Sequence, residues 1–290
     1  MTALLIPDVG KTIAANGIST NYLEAGTGEP VVFIHGSGPG VSSDANWRLT
    51  LPVLAGRFHC YAPDMVGFGL TERPAGFAYN LQNWVDQLHG FLDSLRLGSV
   101  SLVGNSFGGA VALRFATDHP DRVSRLALMG SVGVPFEITE ALDAVWGYQP
   151  SLGAMRRLLD YFAYSRELVT DELADLRYAA SVRPGFQESF AAMFPAPRQR
   201  WVEALSTPDE QIAALPHRTL IVHGRDDQVI PLATSLRLHQ LIEDSELHVF
   251  GRCGHWTQIE RSGAFTELLG QFLAGGDVAP ANSSITGGKE

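Results

Sequence analysis

Short apolar runs alternate with amphipathic helical patterns along most of this 290-residue chain, and turn residues separate them. The runs are four to seven residues long and apolar on both faces, as strands are when helices cover a sheet on each side. They lie at 31–34, 58–62, 99–104, 123–129, 219–222 and 246–250. Strands that alternate with helices in this way build a mostly parallel sheet, so the alternation predicts an α/β fold.

The intervals between these runs carry the 3.6-residue spacing of helices that face a core. Helices are predicted at 81–97, 110–116, 232–242 and 265–272. Near the start of the chain, the Asn16-Gly17 pair between two alternating segments predicts a β-hairpin over 12–25.

One interval, from 135 to 207, contains no strand pattern and is rich in aromatic residues. It is either a helical cap over a pocket or a helical subdomain whose aromatic side chains form its own core, and its position between two core strands favours the cap. The predicted domains are therefore a core of 1–134 and 208–274 and a cap of 135–207. The tail, 275–290, offers almost nothing to bury and is predicted to be disordered.

Charge and cysteine content exclude several classes of protein. The chain carries 31 acidic and 21 basic residues, a formal net charge of −10, which opposes binding to nucleic acid. Cys60 and Cys253 form no CxxC pair, and no apolar run approaches the roughly 18 residues of a membrane span. The N-terminal segment lacks the basic and apolar regions of a signal peptide. The sequence predicts a cytoplasmic protein that binds neither nucleic acid nor membrane.

One motif within the alternation indicates nucleophilic chemistry. Gly104-Asn105-Ser106-Phe107-Gly108-Gly109 lies between a strand pattern and a helix pattern, the context in which G-x-S-x-G forms a nucleophile elbow. Such an elbow holds the serine on a tight turn at the carboxyl end of a strand, where its hydroxyl is accessible. Ser106 is therefore the predicted nucleophile.

The elbow requires an acid and then a histidine further along the chain. Asp226 and Asp227 follow one late strand pattern, and His255 follows the last one. The carboxyl ends of parallel strands meet at one edge of a sheet, so these residues can converge on Ser106. The G-x-x-D-x-x-x-P spacing favours Asp227 as the residue that orients His255, with Asp226 as a solvated or loop-capping neighbour.

A serine nucleophile also needs N–H groups that stabilise the developing oxyanion. Phe107, directly after the serine, offers one, and Ser37 or Gly38 in the glycine-rich loop 35–40 offers another. That loop matches neither a dinucleotide-binding motif nor a P-loop, which argues against a phosphate site. Serine at position 106 also argues against dehalogenases and epoxide hydrolases, which use a carboxylate nucleophile.

Four segments of the sequence together resemble a known family. They are His35-Gly36-Ser37-Gly38-Pro39-Gly40 with Asn46-Trp47 downstream, Gly104-Asn105-Ser106-Phe107-Gly108-Gly109, Arg183-Pro184-Gly185-Phe186 and Gly254-His255-Trp256. The elbow alone resembles that of the α/β-hydrolase superfamily in general. The combination resembles the meta-cleavage-product hydrolases, which break carbon–carbon bonds in aromatic degradation, and especially the branch that acts on 2-hydroxymuconic semialdehyde. The resemblance covers about residues 10–273.

The resemblance implies an eight-stranded, mostly parallel sheet with helices on both faces and a helical cap between strands 6 and 7. It also implies a homo-oligomer without a cofactor, whose substrate is a 2-hydroxy-6-oxohexa-2,4-dienoate. After the dienol ketonises, hydrolysis of a carbon–carbon bond gives 2-hydroxypenta-2,4-dienoate and a small carboxylic acid.

This anionic substrate needs a cation and amide donors. Arg183 can bind a carboxylate, Asn46 and Asn105 offer amides, and Trp256 offers an apolar surface; all four match positions that the family uses for substrate. A solvated arginine at a helix end is the alternative for Arg183, and the resemblance favours binding.

Other functions remain compatible with the same motifs. A carboxylesterase, lactonase or perhydrolase would use the same triad on another substrate, whereas a non-catalytic ligand receptor would not need all three residues in order. The nine histidines include no i, i+4 pair of the kind that holds a metal on a helix, which argues against a metal hydrolase.

Overall fold

A computed structural model describes residues 10–275 and is built around one eight-stranded sheet. The strand order is β1-β2-β4-β3-β5-β6-β7-β8, in which β2 runs antiparallel to β1 and β4 and the other neighbours are parallel. The strands are β1 Lys11–Ala15, β2 Ile18–Ala25, β3 Pro30–Ile34, β4 His59–Pro63, β5 Val100–Asn105, β6 Val123–Met129, β7 Thr219–Gly224 and β8 Ser245–Phe250. The predicted fold class is confirmed.

Helices cover both faces of the sheet. Side chains alternate between two apolar layers along the central strands: Val31 and Phe33 lie in one layer, Val32 and Ile34 in the other. One layer is covered by α1 Ser43–Trp47, α2 Leu51–Leu54 and α13 Ser262–Leu273. The other is covered by α3 Leu81–Ser94, α4 Phe107–Asp118 and α11 Leu232–Leu241. The strands are apolar on both sides because both sides are buried.

The chain between β6 and β7 supplies the helices predicted as a cap. These are α5 Glu140–Trp146, α6 Leu152–Phe162, α7 Asp171–Ser181, α8 Phe186–Met193, α9 Gln199–Ala204 and α10 Asp209–Ala213. Trp146 and Phe194 stack with ring centroids 4.3 Å apart, and Phe194 also stacks on Trp84 of α3 at 6.3 Å. The aromatic side chains therefore pack on one another and on the sheet domain. The boundaries at 134 and 207 remain a prediction.

Local signals in the sequence agree with the elements of the structure. The hairpin β1–β2 turns at Asn16-Gly17, where both residues have positive φ. Predicted strands and helices are present, with ends that differ by a few residues; the helix predicted at 110–116 extends over all of α4. The short helix α12 Thr257–Glu260 and two 3₁₀ turns, Pro120–Arg122 and Arg166–Leu168, complete the elements. The predicted disordered tail lies outside the described residues except for Gly275.

Within residues 10–275, no helix has both the length and the apolar character that a membrane crossing requires.

Candidate active site

Ser106 lies on a sharp turn between β5 and α4. Its backbone adopts φ 54° and ψ −116°, a conformation that is strained for any residue with a side chain. Backbone hydrogen bonds hold the turn: the Ser106 N–H donates to the Met129 carbonyl at 2.9 Å, and the Ser106 carbonyl accepts the N–H groups of Gly109 at 3.0 Å and Val132 at 3.2 Å. This is the geometry of a nucleophile elbow.

The glycines beside the serine allow three backbone segments to meet. A Cβ on Gly104 would lie 2.4 Å from the Gly108 carbonyl oxygen, and a Cβ on Gly108 would lie 2.3 Å from the Ile34 carbonyl oxygen. Neither position has room for a side chain, because α4 packs directly against β5 and β3.

The carboxylate of Asp227 holds the imidazole of His255. His255 Nδ1 lies 2.8 Å from Asp227 Oδ2, while Oδ1 accepts the N–H groups of Val229 at 2.8 Å and Ile230 at 3.0 Å. Burial would raise the pKa of Asp227, but His255, through its charge and hydrogen bond, together with His223 and the Ile230 N–H holds this pKa below its usual value. An ionised Asp227 fixes the tautomer with a proton on Nδ1, which leaves Nε2 of His255 available as a base.

Asp226 has a different set of contacts. Its Oδ2 accepts the Cys253 N–H at 3.2 Å and lies 3.5 Å from the Arg225 guanidinium. Its own N–H donates to the Cys253 carbonyl at 2.9 Å. Asp226 therefore joins the loop after β7 to the loop after β8. None of these interactions involves His255.

The loop after β3 is fixed from two sides. His35 Nε2 accepts the Met65 N–H at 2.9 Å, so the imidazole connects this loop to the one after β4. The Ser37 hydroxyl oxygen accepts the Nε1–H of Trp146, from α5, at 3.0 Å. The backbone of Ser37 and Gly38 is thereby held in place beside the elbow.

A small cavity lies between these loops and the inserted helices. The backbone N–H of Phe107, the first residue of α4, has no acceptor within the helix and can therefore bind an oxyanion beside Ser106. Leu142 and Val145 of α5, Phe162 of α6 and Val229 close the apolar side of the cavity. The predicted site residues that line the cavity are Ser37, Gly38, Asn46, Asn105, Ser106, His255 and Trp256.

Two asparagine side chains border the cavity. Asn46 Oδ1 accepts the Gly36 N–H at 3.3 Å, and the buried Nδ2 of Asn46 has no hydrogen-bond partner in the described chain. Asn105 Nδ2 donates to the Met129 carbonyl at 3.3 Å. Asn46 therefore keeps an amide donor for a ligand, whereas Asn105 already uses one. No group of three histidine, cysteine or acidic side chains within residues 10–275 is placed to hold a metal ion.

Known proteins share this chain's fold and much of its sequence. The family model for the alpha/beta hydrolase fold matches residues 29–262. The 2-hydroxy-6-oxo-2,4-heptadienoate hydrolase of Pseudomonas putida (strain F1) is 61% identical over 93% of this chain and 98% of that protein. The 2-hydroxymuconate semialdehyde hydrolase of Pseudomonas sp. (strain CF600) is 60% identical over 94% and 96%. The structure of a meta-cleavage product hydrolase from Pseudomonas fluorescens IP01 matches with a TM-score of 0.92 and 56% identity, over 92% of this chain and 98% of that one. This chain belongs to the meta-cleavage-product hydrolases of the α/β-hydrolase family.

The family indicated by the four sequence segments is therefore confirmed. One predicted site residue of this hydrolase, Arg183, does not lie at the site. It is exposed, and its guanidinium lies 6.0 Å from the Phe186 ring rather than in the cavity. Helix α7 ends at Ser181, so Arg183 follows the helix in an exposed turn. The structure does not bring Arg183 to the site, which corrects the expectation from sequence.

Arg177 of α7 occupies the cavity instead. Its side chain is buried, and its Nε has no hydrogen-bond partner within the described residues. A Cβ on Gly38 would lie 3.6 Å from Arg177 Nη2, so the guanidinium faces the loop after β3. Burial, and to a lesser extent the nearby Arg48, lowers the pKa of Arg177 to about 10, and the group remains a cation at neutral pH.

Sequence reasoning missed Arg177, although one signal was available. On α7 the buried positions are Ala174, Arg177 and Ser181, a spacing of three and four residues that marks the inward face. An arginine on such a face needs an explanation, because arginine is rarely buried unless it is paired. Arg177 also borders a second cavity with Asn46, Trp256 and Arg48.

Proposed function

We propose that this hydrolase cleaves a carbon–carbon bond of 2-hydroxy-6-oxohexa-2,4-dienoates to give 2-hydroxypenta-2,4-dienoate and a small carboxylic acid. The observation that carries the proposal is the buried Arg177 guanidinium, which lines the same cavity as Ser106 and His255. A buried cation without an anion is costly, so the cavity is suited to a ligand that supplies one. No acidic side chain is among the described residues that line this cavity.

The carboxylate of the substrate binds Arg177 in this proposal. A guanidinium can donate two parallel hydrogen bonds to a carboxylate, and the free Nδ2 of Asn46 adds a third donor. Trp256 and Asn105, which line the same cavity, contact the conjugated chain. These donors also favour the charge that spreads over the dienoate as the bond breaks.

The reacting carbonyl then lies at Ser106. His255 acts as general base and acid, Asp227 holds its tautomer, and Ser106 is the nucleophile or orients the attacking water. The N–H of Phe107 and an N–H of Ser37 or Gly38 stabilise the oxyanion. After the dienol has ketonised, water contributes hydroxide to the carbonyl carbon as its bond to the neighbouring CH2 carbon breaks. The electron pair of that bond moves through the conjugated chain to the C2 oxygen, which takes up the remaining proton of water and becomes the hydroxyl of 2-hydroxypenta-2,4-dienoate.

We further propose that a hydrogen or methyl group on the reacting carbonyl is preferred to phenyl. The branched apolar side chains of Leu142, Val145 and Val229 line the same small cavity as Ser106. The relatives that act on the semialdehyde and on the heptadienoate are 60% and 61% identical, whereas a 6-phenyl dienoate hydrolase of Burkholderia cepacia is 33% identical.

Loss of the yellow dienolate absorbance tests the proposal directly. We expect the purified protein to bleach 2-hydroxymuconic semialdehyde and its 6-methyl analogue rapidly and the 6-phenyl analogue slowly, and Ser106→Ala to bleach none of them. p-Nitrophenyl acetate serves as the control substrate. Turnover of the ester without bleaching of any dienoate would show an ordinary esterase and contradict the proposal.

We also propose that the protein is cytoplasmic and assembles as a homo-oligomer. Both cysteines are free and buried, as is usual for a protein from a reducing compartment. The family resemblance supports self-association. Size-exclusion chromatography with light scattering gives the mass of the protein in solution. This mass is a multiple of the 31.4 kDa chain mass for an oligomer and equals the chain mass for a monomer.

A further inference from the structure

A second histidine contacts the carboxylate of Asp227. His223, in β7, is fully buried, and its Nε2 lies 3.0 Å from the Ile230 carbonyl oxygen and 3.5 Å from Asp227 Oδ2. That oxygen is the one that lies 2.8 Å from His255 Nδ1. The remaining nitrogen of His223, Nδ1, lies 2.7 Å from Ser235 Oγ in α11.

These contacts fix the tautomer of His223. The Ile230 carbonyl can only accept, so Nε2 carries the proton and Nδ1 accepts from the Ser235 hydroxyl. Burial lowers the pKa of His223 despite the nearby Asp227 carboxylate, so the ring is neutral. The titratable groups that face it are Asp227 and His255, and its other partners are neutral.

The Nε2–H of His223 therefore donates to the Ile230 carbonyl, and Asp227 Oδ2 lies beside it, 3.5 Å from Nε2. Asp227 Oδ1 already accepts two backbone N–H groups, and Oδ2 accepts from His255. Ile230 closes a ring of bonds, because its N–H donates to Asp227 while its carbonyl accepts from His223. The turn that presents Asp227 is thus held to β7 by this imidazole.

We propose that His223 is a positioning residue that fixes Asp227 and shares Asp227 Oδ2 with His255. Sharing this oxygen limits how strongly the carboxylate stabilises the protonated form of His255. This inference rests on the triad assigned above and not on the identity of the substrate.

The pH dependence of kcat/KM separates this role from simple packing. Glutamine and methionine have nearly the same shape, but only glutamine keeps an N–H near the position of Nε2. We expect His223→Met to move the acidic limb of the profile upward by about half a pH unit and to lower kcat, because Asp227 then interacts with His255 alone. His223→Gln is expected to stay close to the wild type.

Ser235→Ala provides a test that leaves His223 in place. Without the hydroxyl donor on Nδ1, the Nε2–H becomes a weaker donor, so a smaller shift in the same direction is expected. The proton resonance of the His255–Asp227 hydrogen bond should move in both Ser235→Ala and His223→Met.

The pH profile of kcat/KM is measured on p-nitrophenyl acetate as well as on a dienoate. If the protein does not turn over the dienoate, the profile on the ester still tests the role of His223. An acidic limb that moves equally in the Gln and Met variants would overturn the proposal, since the N–H would then be irrelevant. An unchanged limb and resonance in His223→Met and Ser235→Ala would overturn it too. If His223→Met does not fold, Ser235→Ala decides by the same criterion.

Discussion

Phe162 stacks face to face on Trp256, with ring centroids 5.0 Å apart and planes 14° from parallel. The Phe162 carbonyl also accepts the Trp256 N–H at 3.2 Å. The end of α6, in the inserted helices, is thus bound to the residue directly after His255. Glu260 adds to this connection, because its carboxylate accepts the N–H of Gly254 at 2.7 Å and those of Tyr164 and Ser165 at 3.0 and 2.9 Å.

Glu260→Ala should therefore weaken both the fold and the reaction. Three hydrogen bonds to a charged acceptor are lost, and we expect the free energy of unfolding in urea to fall by about 2–3 kcal/mol. The loop that carries His255 loses a constraint, so kcat should fall by about tenfold. Glu267→Ala, at an exposed position of α13, is the matched control and should change neither quantity. A stable, fully active Glu260→Ala would show that the hydrogen bonds of Glu260 do not position His255.

Substitution of the two adjacent aspartates should give opposite results. Asp227→Asn keeps the shape of the side chain but removes the charge that fixes the His255 tautomer, and kcat should fall by roughly 10³–10⁴. Asp226→Asn retains an oxygen for the Cys253 N–H and should stay within a fewfold of the wild type. Steady-state kinetics on one dienoate decides the matter. A dead Asp226→Asn beside an active Asp227→Asn would reverse the assignment.

The sequence predicts Ser106 and His255 from local patterns, and both side chains line one cavity in the structure. An elbow needs glycines at fixed positions, and the strand before it and the helix after it are visible as patterns. Asp226 and Asp227 were harder to separate, since neighbours in a turn can each point to the site. The structure distinguishes them through partners far along the chain: Cys253 for Asp226 and His255 for Asp227.

Arg177 has only the weaker signal of its helical spacing, and Glu260 has no local signal at all. Which arginine reaches the cavity depends on the face that α7 turns inward and on where the helix ends, and Arg183 was favoured because its segment resembles the family. Glu260 contacts residues 95 and 96 positions earlier in the chain. Such pairings follow from how the inserted helices pack on the sheet, and no short pattern encodes them.

Arg177→Gln should separate substrate binding from the chemistry at Ser106. Loss of a buried, charge-assisted contact to a carboxylate costs about 2–3 kcal/mol, so KM for a dienoate should rise roughly 30- to 150-fold. Turnover of p-nitrophenyl acetate, a neutral ester, should change little. Arg183→Gln is the control and should leave both substrates unaffected. An equal loss on dienoate and ester would remove the assigned role.

Arg177 should lower the free energy of unfolding of the protein without ligand. Its guanidinium is buried with an Nε that has no partner among the described residues, and such a group lowers stability. Replacement by an apolar side chain of similar length, Arg177→Met, should raise the free energy of unfolding by about 1–2 kcal/mol while it abolishes tight dienoate binding. Urea titration without ligand measures this, and a destabilised Arg177→Met would contradict it.

Two buried histidines should make the fold sensitive to mild acid. Burial lowers the pKa of both His35 and His223, and the bonds they make are those of neutral rings. Below about pH 6.5 the unfolded chain takes up protons at these positions while the folded chain does not, so the unfolded state binds more protons. Stability is therefore fully present above that pH and falls as the pH drops, until the folded-state pKa values are reached.

In this pH range, each histidine that stays neutral in the fold lowers the free energy of unfolding by up to about 1.4 kcal/mol for every pH unit of acidification. Urea titrations between pH 8 and pH 5 should show the decline, and His223→Gln should reduce its slope because glutamine takes up no proton. His239→Gln, at an exposed position of α11, is the matched control and should leave the slope unchanged. If His223→Gln kept the full slope, His223 would have to be charged in the fold, and the neutral ring that bridges Ser235, Ile230 and Asp227 would be wrong.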